Sequence, residues 1–140
     1  TSMSHKARDY MSKRFLTFLP EMDVLEAVGQ ILDRHATSGF VVDKLGNLVG
    51  VLSEVDGLQA GIQGAYHASG GGRVADIMNT KIKSVDVDDS IMQVARLFVD
   101  DRDYYYRGFP VMKHNRIVGR ITVRDVLLAL QEMSRENGAP

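Results

Sequence analysis

Two stretches of this chain repeat each other, and a duplication ties both to one local architecture. Gly39-Phe40-Val41-Val42 aligns with Gly108-Phe109-Pro110-Val111, and the match runs on through Lys44 and Lys113, Leu48-Val49-Gly50 and Ile117-Val118-Gly119, Ser53 and Thr122, Asp56 and Asp125, Leu58 and Leu127, and Ala60 and Ala129. Upstream, Asp9 pairs with Asp76, Met11 with Met78, Thr17 with Ser84, Val24 with Ile91 and Ala27 with Val94. The upstream spacing is shorter by two residues, and the extra length falls near Asp103 and Tyr104-Tyr105-Tyr106.

Local rules give each copy the same order. Short extended segments, Phe15 to Leu19 and Ile82 to Val87, precede Asp23 and Ser90, residue types that N-cap helices. Behind the caps, Val24, Ala27, Val28, Ile31 and Leu32 recur at helical spacing, as do Ile91, Val94, Ala95, Phe98 and Val99, which predicts two buried helix faces. Phe40 to Val42 and Leu48 to Leu52 flank a turn containing Gly46 and Asn47; Lys113-His114-Asn115-Arg116 takes that place in the second copy. Such runs predict β-hairpins. A last helix starts at Ser53 or Thr122. The expected fold is α/β (α+β): two β-α-β-β-α repeats, packed sheet to sheet because neither covers both faces of its own sheet. The expected boundaries are 7–60 for the first repeat, 61–73 for a glycine-rich connector and 74–130 for the second.

Between the copies, Gly57, Gly61 and Gly64 with Ala60, Ala65 and Ala68 would leave one helix face smooth, suited either to close packing between subunits or to a frayed helix entering a linker. Gly70-Gly71-Gly72 reads as a flexible connector. It lacks the Lys-Ser/Thr of a phosphate-binding loop.

Composition excludes whole classes. Seventeen Lys and Arg against eighteen Asp and Glu leave none of the basic excess that nucleic-acid binding uses. Cysteine is absent, which removes disulfides, thiolate metal sites and thiol nucleophiles. His5, His35, His67 and His114 show no metal-ligand spacing, and no nucleophile stands near an evident base. Apolar runs are far shorter than the ~20 residues of a membrane span. The expectation is a soluble, cytoplasmic chain without nucleic-acid, membrane, metal or catalytic sites. Thr1 in first position points to a trimmed chain or a piece of a longer one.

The segments FVVDKLGNLVGVLSEVD and FPVMKHNRIVGRITVRD resemble the closing half of CBS domains, and Asp9-Tyr10-Met11-Ser12 and Asp76-Ile77-Met78-Asn79-Thr80 resemble the short lead-in that opens the same repeat. The likeness runs from about Ala7 to Leu130. Val41 in place of the usual proline, and Met112 in place of the usual aspartate, depart from the pattern within the hairpins. A tandem pair of this kind, a Bateman module, implies a pseudo-twofold regulatory unit. Such units often form homodimers and bind AMP, ADP or ATP, less often NAD or S-adenosylmethionine, in clefts between repeats, with no cofactor required.

The strings Gly50 to Asp56 and Gly119 to Asp125 carry the candidate site. Ser53 or Thr122 followed three residues later by an acid reads as a capping box. The same helix start presents N–H groups and partial positive charge to an anion, while a carboxylate accepts both hydroxyls of a ribose. Both readings stay open. The resemblance implies that Ser53 and Asp56 face Lys81-Ile82-Lys83 and Tyr106-Arg107-Gly108 of the opposite repeat, and that Thr122 and Asp125 face Phe15-Leu16 and Thr37-Ser38-Gly39. Backbone groups would read adenine, and Ile82 or Phe15 would cover its face. Lys81, Lys83 and Arg107 make the first cleft the better polyphosphate site; the second has Arg14 and Arg120. Tyr104 to Tyr106 read mainly as packing, and Asp86, Asp88 and Asp89 as structural acids before a helix. A structural dimerisation module without nucleotide is the competing function.

Overall fold

The computed structural model describes residues 5–64, 66, 72–100 and 108–138. It divides into two compact units, Phe15–Ile82 and Thr1–Arg14 with Lys83–Pro140.

In the first unit, β1 (Thr17–Phe18), α2 (Val24–Asp33), β2 (Ser38–Val42), β3 (Leu48–Ser53), α3 (Glu54–Ile62) and α4 (Val74–Ile77) follow in order. Its sheet runs β1-β2-β3, parallel then antiparallel. The other unit holds α1 (Ala7–Tyr10), β4 (Val85–Asp86), α5 (Ile91–Asp100), β5 (Gly108–Lys113), β6 (Arg116–Thr122) and α6 (Val123–Glu136), with the sheet order β4-β5-β6. The expected mixed α/β repeat is therefore present twice, down to a register shift at Val41/Val42 and again at Val111/Met112.

The caps form as read. Asp23 accepts the Leu25 N–H at 2.7 Å, and Ser90 Oγ accepts the Gln93 N–H at 3.2 Å. The second hairpin turns on His114 and Asn115, with φ of 51° and 63°. Two consecutive left-handed residues match the strand twist, so this turn works without glycine.

One feature lay outside the sequence reading: each lead-in is a short helix packed on the other copy's elements. Ala7 N–H bonds Asp89 O and Ser12 exchanges both backbone bonds with Arg120. Likewise Val74 N–H bonds Met22 O and Asn79 exchanges both with Val51. Glycine makes the seat, since a Cβ at Gly50 would stand 2.5 Å from the Met78 sulfur and one at Gly119 would collide with the Met11 sulfur. Accordingly Ala7 is fully buried with Phe109, Val111 and Ile121, and Val74 with Phe18, Val41 and Leu52. Sequence repeat and compact unit are thus different divisions of the chain.

The predicted helix faces need correction at their edges. Val24, Ala27 and Ile31 are buried, as are Ile91 and Val94, but Leu32 is 64% exposed and Val99 59% exposed. The apolar stripe is wider than the surface each sheet covers.

Candidate functional site

Both candidate sites stand where a hairpin strand becomes a helix. At Ser53 the backbone is still extended, with φ −107° and ψ 166°, and Thr122 matches it at −110° and 169°. Ser53 Oγ accepts the Asp56 N–H at 3.1 Å; in return Asp56 Oδ2 accepts the Ser53 N–H at 2.8 Å and the Ser53 hydroxyl at 3.0 Å. Thr122 and Asp125 repeat the exchange at 3.2 and 2.8 Å. Each pair is a closed capping box, which satisfies two otherwise orphaned amides.

The hydroxyls differ in access. Ser53 is only 4% exposed, whereas Thr122 is half-buried. At α3 the Glu54 N–H is also taken, by Thr37 O at 2.9 Å. The helix start near Ser53 is therefore largely satisfied by its own unit.

Around Ser53 the first unit gathers several of the expected residues. Ser38 pairs with Ser53 and Gly39 with Leu52 across the hairpin. Leu16 O accepts the Phe40 N–H at 2.9 Å, and the Phe15 ring lies 5.9 Å from that of Phe40. A Cβ on Gly39 would run into the Phe18 ring, so only glycine fits there. Phe15, Leu16, Thr37, Ser38 and Gly39 thus share a unit with Ser53 and Asp56. Lys81 and Ile82 belong to it too, just beyond the Asn79–Val51 bridge. Lys83 and Gly108 lie in the other unit, where Gly108 pairs with Thr122. Tyr106 and Arg107 lie outside the described residues, as do Tyr104, Tyr105, His67, Ala65, Ala68, Gly70 and Gly71.

Arg120 is the residue that sequence reasoning underweighted. A Cβ on Gly108 would be 2.9 Å from Arg120 Nε, so the guanidinium lies over Gly108 beside Thr122. Strand alternation was the available signal, because residues two apart on β6 share a face. Its counterpart in the first repeat is Val51, which is buried.

Two hollows flank α3. A pocket of about 190 Å³ beside Asp56 is lined by Gln59, Ala60, Gln63, Asp76 and Ile77. That is below the ~300 Å³ at which small-molecule sites begin, so alone it fits a sugar-sized fragment. An apolar groove of about 620 Å³ lies against α2, walled by Val28, Leu32, Val55, Leu58, Ile62 and Tyr66. It offers little to hold a phosphate. Tyr66 donates to Gly57 O at 2.5 Å and lays its ring on Gly61; burial pushes its hydroxyl pKa up. The smooth glycine face foreseen for a partner is therefore partly covered from within the chain.

The acids before α5 and in the lead-ins make local structural contacts. Asp86 and Asp89 accept backbone N–H groups of their own turn, and Asp9 and Asp76 close the caps of α1 and α4. Asp88 pairs with Arg8, which holds its carboxyl below the usual range.

With this geometry in place, comparison supplies the class. The sequence pattern of the CBS domain matches residues 7–61 and again 74–132. The chain belongs to the CBS-domain family, as a tandem pair. It is 38% identical over 99 residues to the magnesium transporter MgtE of Thermus thermophilus, covering 70% of this chain and 20% of the transporter. Against the uncharacterized protein MJ1404 of Methanocaldococcus jannaschii it is 29% identical, covering 93% of this chain and 33% of that protein. The chain thus spans a third or less of these two relatives. The CBS-pair protein CBSX2 of Arabidopsis thaliana shares the fold, with a TM-score of 0.80 at 23% identity over 95% of this chain and 99% of that one. Among the described residues, no helix is long and apolar enough to cross a membrane.

Proposed function

We propose that this chain is a non-catalytic regulatory module that binds an adenosine-containing nucleotide, of the AMP, ADP or ATP class, in clefts between its repeats. The observation that carries the reading is the duplicated hydroxyl–acid pair at a strand-to-helix turn, Ser53 with Asp56 and Thr122 with Asp125. The hydroxyl and helix start, more open at Thr122 than at Ser53, suit a phosphate; the carboxylate suits the paired hydroxyls of a ribose. Backbone groups of Leu16, Thr37 to Gly39, Ile82 and Gly108 read the base, with Phe15 or Ile82 on its face. Lys81, Lys83, Arg107 and Arg120 balance phosphate charge. Support comes from CBSX2 solved in complex with AMP, and from the CBS pair of MJ0100 solved with methylthioadenosine and S-adenosylmethionine. The module works as a cytoplasmic homodimer and needs no cofactor. Ligand shifts a partner or fused domain only by its difference in affinity for two shapes.

Isothermal titration with AMP, ADP, ATP, NAD and S-adenosylmethionine tests this. Heat with at least one is expected, and silence from all five at millimolar concentration refutes it. The closed capping boxes favour a second reading, a dimerisation module without ligand. That reading expects Asp56 and Asp125 variants to alter stability alone.

A further inference from the structure

His5 sits between Tyr10 of α1 and the last turns of α6. Its Nδ1 stands 2.8 Å from the Tyr10 hydroxyl oxygen and its Nε2 2.6 Å from Glu136 Oε2, while the Tyr10 hydroxyl donates to Glu132 Oε2 at 2.7 Å. The two rings lie 25° from parallel, and the imidazole is only 11% exposed, so water replaces a lost partner poorly.

Counting protons shows what this network requires. An ionised carboxylate only accepts, so the Tyr10 hydroxyl points its single proton at Glu132 and turns a lone pair to Nδ1. Glu136 offers Nε2 lone pairs as well. Both ring nitrogens therefore face acceptors, and a neutral imidazole has one N–H for the two bonds. Its bare nitrogen would meet an oxygen lone pair, or Tyr10 would have to give up Glu132. An imidazolium fills every bond at once. The surrounding charge acts in the same direction: Glu132 and Glu136 approach from α6 and Asp9 from α1. The cations of the lead-in are engaged elsewhere, Lys6 lying 3.6 Å from Asp88 and Arg8 pairing with the same carboxylate; Arg135, in the last turn of α6, is exposed. From α5 the Ile91 N–H bonds the His5 backbone oxygen at 3.0 Å.

What the network fastens is the exchanged lead-in. The N–H groups of Ala7, Arg8 and Ser12 bond Asp89 O, Val87 O and Arg120 O, so this segment backs β6, the strand that ends at Thr122. We propose that His5, Tyr10, Glu132 and Glu136 form a proton-operated clasp, which ties the lead-in to α6 while the imidazole is doubly protonated and slackens when it is neutral. Imidazoles change charge between about pH 5 and 8, above the range in which glutamates protonate, so the hold is firm at the acid end of that window and is lost as pH rises. The clasp is independent of nucleotide binding.

Amide hydrogen exchange of the 140-residue chain between about pH 5.5 and 8, expressed as protection relative to the unstructured rate at each pH, tests it, with the His5 ring nitrogens followed by NMR in the same samples. Protection at Ala7, Arg8, Met11 and Ser12 should fall about tenfold or more as His5 loses its proton, the size expected for one charge-assisted hydrogen bond. His5→Gln has no proton to lose in this range, so its protection should not vary with pH. Glu136→Gln should hold the lead-in across the whole window, because its amide can turn an N–H toward the bare ring nitrogen. Wild-type protection that stays level while His5 titrates overturns the clasp, as does an equal fall in His5→Gln or in Glu136→Gln.

Discussion

Asp56 is asked to do two things, and one pair of substitutions separates them. In Asp56→Ala the Ser53 N–H and hydroxyl lose the Oδ2 acceptor they hold at 2.8 and 3.0 Å, and Ser53 is 4% exposed, so water reaches them poorly. An orphaned buried donor costs ~1–3 kcal/mol, a range that overlaps the ~1 kcal/mol loss of an N-terminal cap and includes it. Taking about 2 kcal/mol, and about 3–4 °C per kcal/mol for a chain of this size, Tm should fall by about 6–8 °C. Asp56→Asn keeps an oxygen for the cap and gives up the charge, so its Tm should fall by about 3 °C or less. Both variants should lose nucleotide at that site. Scanning calorimetry and isothermal titration read the two effects independently. If Asp56→Ala melts with the wild type, the cap reasoning is wrong; if Asp56→Asn binds with unchanged affinity and stoichiometry, the ribose assignment is wrong and the residue is a cap alone.

The exchanged lead-ins make a spatial prediction. Met11→Ala should speed hydrogen exchange in β6 and α6 rather than in β1 to β3 of its own repeat, with a stability loss of ~1–3 kcal/mol for a partly buried side chain; faster exchange confined to residues 15–62 would refute the exchange. Tyr10 predicts a pH dependence. Burial, then its hydrogen bond to Glu132 at 2.7 Å, pushes its pKa up to about 12 from an ordinary 10. The folded chain keeps a proton that the unfolded chain releases, so this stabilisation is complete below pH 10 and disappears as pH rises toward 12. Urea unfolding between pH 9 and 12 should show Tyr10→Phe losing stability less steeply than wild type, and parallel curves would contradict the assignment.

The order of elements was legible because its signals are local. The match of Gly39 to Ala60 with the stretch 69 positions further on, the caps at Asp23 and Ser90, and the Ser53 and Thr122 helix starts each depend on neighbours within a few positions. The type of each candidate site residue was legible for the same reason. Which sheet received each lead-in was not, since a four-residue helix such as Ala7–Tyr10 has no periodic face long enough to name its partner. Nor could spacing show that Leu32 and Val99 stay exposed, that Tyr66 covers Gly61, or that Ser53 is shut away while Thr122 stands half-open beside Arg120. Those outcomes are settled by which surfaces meet, a property of packed elements that residue order along one of them does not contain.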